Sequence, residues 1–181
     1  MSNPESFQLD NVDAANSGIS VRFHWQHDRY VHQLVALQHG QIMDEWVSVD
    51  GDGQDLWPLS PPLQQVHFQE IAPGNRCLFA VGMAGASHWS MAVSADSDCL
   101  VFDVACRMKD APNFLGSTYR LGAVEMGRHL DLHCQGLGSD GNVGDQLAQI
   151  TTVLAADATF PVTVRWKYDV VRKTAGGGIG R

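Results

Sequence analysis

Apolar and polar residues alternate in two neighbouring segments at the centre of the chain. In 88–94 the apolar residues Trp89, Met91 and Val93 fall at every second position. In 99–107 the alternate apolar residues are Leu100, Phe102, Val104 and Cys106. A period of two on both sides of a turn-forming cluster is typical of a β-hairpin. We therefore predict two paired strands with one buried face.

The other face of this hairpin carries the polar residues His88, Ser90, Asp103 and Arg107. A turn at Asp96–Ser97 sets Ser90 opposite Asp103, with His88 one step along the same face. These four polar side chains are the first candidates for ligand binding.

Similar alternation recurs along most of the chain and predicts further strands, at 19–25, 30–38, 41–49, 63–71, 76–83, 118–126, 128–135 and 160–171. The segment 146–156 fits either a helical stripe or a strand, and its β-rich surroundings favour a strand. The Gly-rich segment 136–144 is predicted to be a flexible loop. No other segment suggests a helix.

The fold class that follows is all-β, as an antiparallel two-sheet β-sandwich, with an up-and-down β-barrel as the alternative. A chain of 181 residues, 44% of them hydrophobic, suits one domain with a substantial core. We assign 1–18 to a flexible N-terminal arm, 19–172 to a single β-rich domain and 173–181 to a flexible Gly-rich tail. The segments 20–25 and 163–168 share one order of residue types, which predicts matching buried faces in the same core.

The net charge of −8 disfavours nucleic acid and anionic membrane surfaces, because both require clustered Lys and Arg. No apolar run approaches the length of a membrane span, and the N-terminus lacks the pattern of a signal peptide. The four cysteines show no paired metal spacing, so we expect free thiols and a cytoplasmic protein. Acidic residues concentrate in 1–55 and basic residues in 165–181, an asymmetry that allows a homo-oligomer.

The pattern Arg128–Cys134 contains the best candidate for a metal site. On a strand, His129, Asp131 and His133 point to one side. Imidazole and carboxylate groups are ligands for zinc, so these three residues could hold it if another strand supplied a further ligand. The alternative is a polar sheet face exposed to water.

Other motifs are weaker. His88, Ser90 and Asp103 have the residue types of nucleophilic acyl transfer, but no nucleophile elbow accompanies them. The acidic loops 50–55 and 139–145 suggest calcium, although neither has the residue order of an EF-hand. Trp57, in a Pro-rich loop, is the tryptophan that we expect to be exposed as a platform for a sugar or a partner.

These observations favour a non-catalytic ligand- or protein-binding β-sandwich, with carbohydrate as the first ligand class to test. A metal-dependent enzyme that uses the histidine-bearing face is the alternative, and a structural protein that assembles through its edge strands is the second. No motif defines a reaction, so we favour binding over catalysis.

Overall fold

The computed structural model describes residues 4–51, 54–122, 128–136 and 138–173. In those residues the chain forms strands and no helix, so no helix there is long and apolar enough to cross a membrane. The strands are β1 (Phe7–Val12), β2 (Gly18–Gln26), β3 (Arg29–Gln38), β4 (Gln41–Ser48), β5 (Gln65–Ala72), β6 (Asn75–Ala84), β7 (Ser87–Asp96), β8 (Cys99–Met108), β9 (Gly116–Leu121), β10 (Leu130–Gln135), β11 (Ser139–Val143), β12 (Leu147–Thr152) and β13 (Val162–Arg172).

The strands form two antiparallel sheets. The seven-stranded sheet has the order β1-β2-β3-β4-β9-β12-β11, and the six-stranded sheet has the order β10-β13-β8-β7-β6-β5. The two sheets remain separate and open rather than closing into one barrel. The prediction of an all-β two-sheet sandwich is therefore confirmed.

The core fills the space between the two sheets. Val21 and Phe23 of β2 contribute from the seven-stranded sheet, and Trp166 and Tyr168 of β13 contribute from the other. All four side chains are buried. The predicted matching faces of the first and last long strands are thus confirmed, because alternate positions of a strand must point to opposite sides of its sheet.

The central hairpin forms with a different register from the predicted one. The structure pairs Ser90 with Ala105 and Ala92 with Asp103, so the predicted Ser90–Asp103 pair is wrong by two residues. The turn residues are Ser97 and Asp98, and Ser97 has a positive φ of 45°. A shift of two residues leaves every side chain on its predicted face.

Two segments predicted to be flexible contain strands. Within the proposed arm 1–18, Phe7–Val12 pairs with β2 as an edge strand, and Leu9 joins the core. Within the proposed loop 136–144, Ser139–Val143 pairs with β12. Backbone pairing to an existing strand stabilises both segments. In β1 the apolar residues Phe7 and Leu9 alternate with Gln8 and Asp10, whereas β11 is mainly polar. The segment 146–156 contains β12, as favoured from the sequence.

A chain of buried polar side chains crosses the core between the sheets. The Nε2 atom of His32 on β3 lies 3.0 Å from the hydroxyl of Tyr119 on β9. That hydroxyl lies 2.6 Å from the hydroxyl of Tyr168 on β13. The indole N–H of Trp166 donates to Ser117 Oγ at 3.2 Å. These contacts satisfy polar groups that would otherwise be costly to bury.

Asp44 joins the two sheets at one end of the sandwich. Its Oδ2 atom accepts hydrogen bonds from the backbone N–H groups of His129, at 2.8 Å, and Leu130, at 3.1 Å. Asp44 lies on β4 of the seven-stranded sheet and is buried. The contact therefore fixes the start of β10 in the opposite sheet.

Candidate functional site

A groove of about 430 Å³ lies on the outer face of the six-stranded sheet, at one end of the central hairpin. One row of paired positions crosses it, from Met83 on β6 through His88 and Arg107 to Thr163 on β13. Adjacent strands are about 4.8 Å apart, so this row of four strands spans about 14 Å. That width suits a small organic molecule or a short extended chain.

Small side chains form the floor of the groove. The next row pairs Val81 with Ser90 and Ser90 with Ala105, so the two central strands carry short side chains there. Larger side chains stand on either side, with Met83 at one wall and Arg107 at the other. The depression therefore follows directly from the outward-facing residues of β7 and β8.

One wall of the groove is apolar and exposed. Val81 has 42% of its surface exposed and Met83 has 45%, although both lie within the regular strand β6. Exposed apolar side chains that line a groove favour contact with an apolar ligand surface.

Gln64 fixes the position of this wall. Its Nε2 donates to the Met83 carbonyl at 3.1 Å, and its Oε1 accepts from the Met83 N–H at 2.8 Å. The paired hydrogen bonds extend the contact between the start of β5 and the end of β6. Met83 is therefore held by the Gln64 side chain in addition to its pairing with His88 on β7.

The opposite wall carries a positive charge. In the described part of the chain no carboxylate lies within 4.0 Å of the Arg107 guanidinium, so this cation forms no ion pair there. His88 and Ser90 add an imidazole and a hydroxyl on the same face. The groove thus combines an apolar wall with a cation and hydrogen-bonding groups.

Three of the five predicted ligand-binding residues, His88, Ser90 and Arg107, line this one groove. Asp103 lies further along β8, where its carboxylate forms a bidentate ion pair with Arg165 and raises the pKa of that guanidinium. Trp57 is only partly exposed and packs against the core, so the structure does not present it as the expected open platform.

The arrangement does not assemble a nucleophilic triad. Ser90 faces Ala105 across the hairpin, and Asp103 is paired with Arg165. The groove geometry therefore offers binding groups without a base positioned by a carboxylate.

Of the proposed metal ligands, Asp131 and His133 occupy alternate positions of β10, and His129 precedes the strand. His129 is half-buried, whereas His133 is exposed. The carboxylate of Asp131 lies 3.4 Å from the Lys173 ammonium. Among the described residues, no group of three or more His, Cys, Asp or Glu side chains is placed to hold a metal ion.

The acidic loops proposed for calcium have different outcomes. Residues 52–53 of the loop 50–55 lie outside the described residues. Most of the loop 139–145 is the strand β11. Its pairing with β12 extends the segment along the sheet edge instead of curling it around an ion.

The apolar wall and the outer strands of the groove were not predicted from the sequence. Val81 and Met83 occupy alternate positions of β6 that face outward, and an apolar residue at an outward position is a signal in the sequence. Nothing in the sequence indicates that Gln64 and Thr163 line the groove, because these two residues come from segments that are distant in the sequence. Only the strand order brings them to the groove.

Comparisons with protein-family models, with curated proteins and with solved structures found no match to this chain.

Proposed function

We propose that this protein is a non-catalytic binding domain and that its groove holds an amphipathic ligand with a negatively charged group. The observation that supports this is the juxtaposition of Arg107, which has no ion-pair partner among the described residues, with the exposed apolar side chains of Val81 and Met83. A carboxylate on the ligand would pair with Arg107, and its apolar part would cover β6.

The two parts of the groove explain why one ligand class is favoured. A guanidinium makes strong charge-assisted hydrogen bonds to a carboxylate. Burial of the exposed parts of Val81 and Met83 adds a favourable contribution of about 25 cal/mol for each Å² of apolar surface removed from water. A neutral sugar would use neither feature fully, and no exposed Phe, Tyr or Trp ring lies among the described residues that line the groove. We therefore place carbohydrate second.

The test compares two probes with the same apolar chain. Decanoate carries a carboxylate and decanol does not, so their difference measures the contribution of Arg107. We expect isothermal titration to show decanoate binding at least about tenfold more tightly, as a charge-assisted hydrogen bond contributes about 1.5–3 kcal/mol. Arg107→Gln should remove this difference and leave decanol binding unchanged.

Two further variants define the location. Ala105→Leu fills the floor of the groove and should weaken both probes. Arg165→Gln removes an exposed arginine of the neighbouring strand and serves as the matched control. Equal binding of decanoate and decanol, with no response to Arg107→Gln, would refute the proposal, and selective binding of a neutral oligosaccharide would favour the carbohydrate alternative.

We further propose a cytoplasmic location for this domain. All four cysteines are unpaired, as suits a reducing compartment.

A further inference from the structure

A second cavity of about 430 Å³ lies on the outer face of the other sheet, beside the turn between β2 and β3. Arg29 lines it from the start of β3, Asp50 from the segment after β4, and Arg120 from β9. The cavity is more polar than the groove of the six-stranded sheet and shares no residue with it. Its chemistry is therefore independent of the proposed function.

Arg29 is, with Asp44, one of the few charged residues that are buried in the described part of the chain, and its side chain is only 6% exposed. Its Nε and Nη2 atoms donate to Asp28 at 2.8 and 3.1 Å. Its Nη1 atom is buried and has no hydrogen-bond partner among the described residues. A buried guanidinium N–H without a partner is costly, and an anion in the adjoining cavity would supply the missing acceptor.

Arg120 brings a second guanidinium to the same cavity. It is exposed, and in the described part of the chain it has no carboxylate within 4.0 Å. Among the residues that line the cavity, Asp28 pairs with Arg29. The half-buried Asp50 offsets Arg120 only while it is ionised, so the lining carries excess positive charge when Asp50 is protonated. We propose that this cavity is a second ligand site, in which Arg29 and Arg120 bind a small oxyanion such as a carboxylate or a sulfate-like group.

Asp50 makes the proposed site sensitive to pH. Burial raises the pKa of its carboxyl to about 7, with a smaller contribution from the negative charge of Asp28 and an opposing one from Arg29. The other charged or titratable groups around Arg29 and Asp28 are Asp55 and His27. A protonated Asp50 removes a repelling charge and offers an O–H donor to the anion, so binding should strengthen as the pH falls through about 7.

The size of the pH effect follows from the titration of one group. With a pKa of about 7, Asp50 is about nine-tenths protonated at about pH 6 and about one-tenth protonated at about pH 8. If the neutral form alone binds the anion, the affinity should fall about tenfold between these two conditions.

Sulfate and acetate are suitable probes, because neither changes its charge appreciably between about pH 6 and about pH 8. We would titrate each into the ¹⁵N-labelled protein at constant ionic strength and follow the backbone amides by NMR. Saturable shifts should concentrate in 26–29 and 47–51, the segments that line the cavity. Binding of acetate alone or of sulfate alone would support the site and would identify the preferred oxyanion geometry.

Substitutions separate the contributions of Arg120, Arg29 and Asp50 to anion binding. Arg120→Gln, at an exposed position, should weaken binding about tenfold, as expected for the loss of one charge-assisted contact. Arg29→Lys should weaken it too, and Asp50→Asn should keep the binding while abolishing its pH dependence. Arg165→Gln on the opposite sheet is the control and should change nothing.

Three results would overturn the inference. The first is the absence of saturable shifts with both anions at both pH values. The second is unchanged affinity in the folded Arg120→Gln protein, which keeps the test decisive even if Arg29→Lys fails to fold. The third is tighter binding at the higher pH. Each result is independent of whether decanoate occupies the groove on the other sheet.

Discussion

His32 should make this protein less stable in mild acid. Its imidazole is fully buried, 5.1 Å from the ring of Phe23 and 6.1 Å from that of Phe102, measured between ring centroids. Burial lowers its pKa from 6.5 to about 3, with a smaller contribution from His24. The folded protein therefore keeps this ring neutral at a pH where the unfolded chain protonates it.

The sign and size follow from this difference in proton binding. Above about pH 6.5 the ring is neutral in both states and the stability does not depend on its titration. As the pH falls below that value, the unfolded chain gains a proton that the folded protein does not, and the free energy of unfolding decreases. The loss is about 1.4 kcal/mol for each pH unit, or about 2 kcal/mol at about pH 5.

The variant His32→Phe isolates this contribution. A phenyl ring fits the aromatic surroundings, and Tyr119 keeps its hydrogen bond to Tyr168. We expect the substitution to cost about 1 kcal/mol at neutral pH for the lost hydrogen bond. At about pH 5 the variant should avoid the loss of about 2 kcal/mol that the wild type suffers there. The variant should therefore be less stable than the wild type at neutral pH and more stable at about pH 5.

Urea unfolding at about pH 7, 6 and 5, followed by tryptophan fluorescence, measures both effects. His133→Gln controls for the removal of an exposed imidazole. If the free energies of unfolding of the wild type and His32→Phe run parallel from about pH 7 to about pH 5, the reasoning about the buried ring is refuted.

Three further predictions concern the core, the link between the sheets and the thiols. Trp166→Ala should lower the free energy of unfolding by about 3–5 kcal/mol, since the Trp166 side chain is only 2% exposed. Arg165→Ala should change it by no more than about 0.5 kcal/mol. Equal costs in denaturant unfolding would mean that the faces of β13 are wrongly assigned. Asp44→Ala should lower the free energy of unfolding by about 2–3 kcal/mol, because it leaves two backbone N–H groups without an acceptor. Hydrogen exchange should accelerate at the start of β10, and unchanged exchange there would contradict the link between the sheets. Thiol titration of the unfolded, unreduced protein should find four free thiols, and fewer than four would contradict the proposed compartment. In the folded protein Cys106 should react far more slowly than the half-buried Cys99, because burial raises the pKa of Cys106 to about 12.

The groove shows which features of a site the local sequence pattern can predict. Alternation along β7 and β8 predicts that His88, Ser90 and Arg107 share one outward face, and these three side chains do line one groove. The predicted partner of Ser90 was wrong, because the pairing depends on the geometry of the turn. Ser97 adopts a left-handed conformation, and the tight turn at Ser97–Asp98 moves the register by two residues.

The second cavity and the polar chain through the core depend on contacts between distant segments. Arg29, Asp50 and Arg120 lie on or beside three strands, and nothing in their local sequences indicates that they share a cavity. The contact of His32 with Tyr119 likewise joins residues 87 positions apart. No period in the sequence carries this information.

By itself the sequence determined the all-β class and the buried face of most strands, and it favoured a two-sheet sandwich over a barrel. It did so because a strand alternates its side chains with a fixed period of two, which any short segment displays. It did not determine the edge strands β1 and β11, which are ordered by pairing with a neighbour. The register of the central hairpin, the order of strands in each sheet and the residues that line both cavities were decided by the tertiary structure. The physical reason is that strand pairing joins backbone groups far apart in the chain, and the resulting neighbours are set by packing of the whole sandwich rather than by local preference.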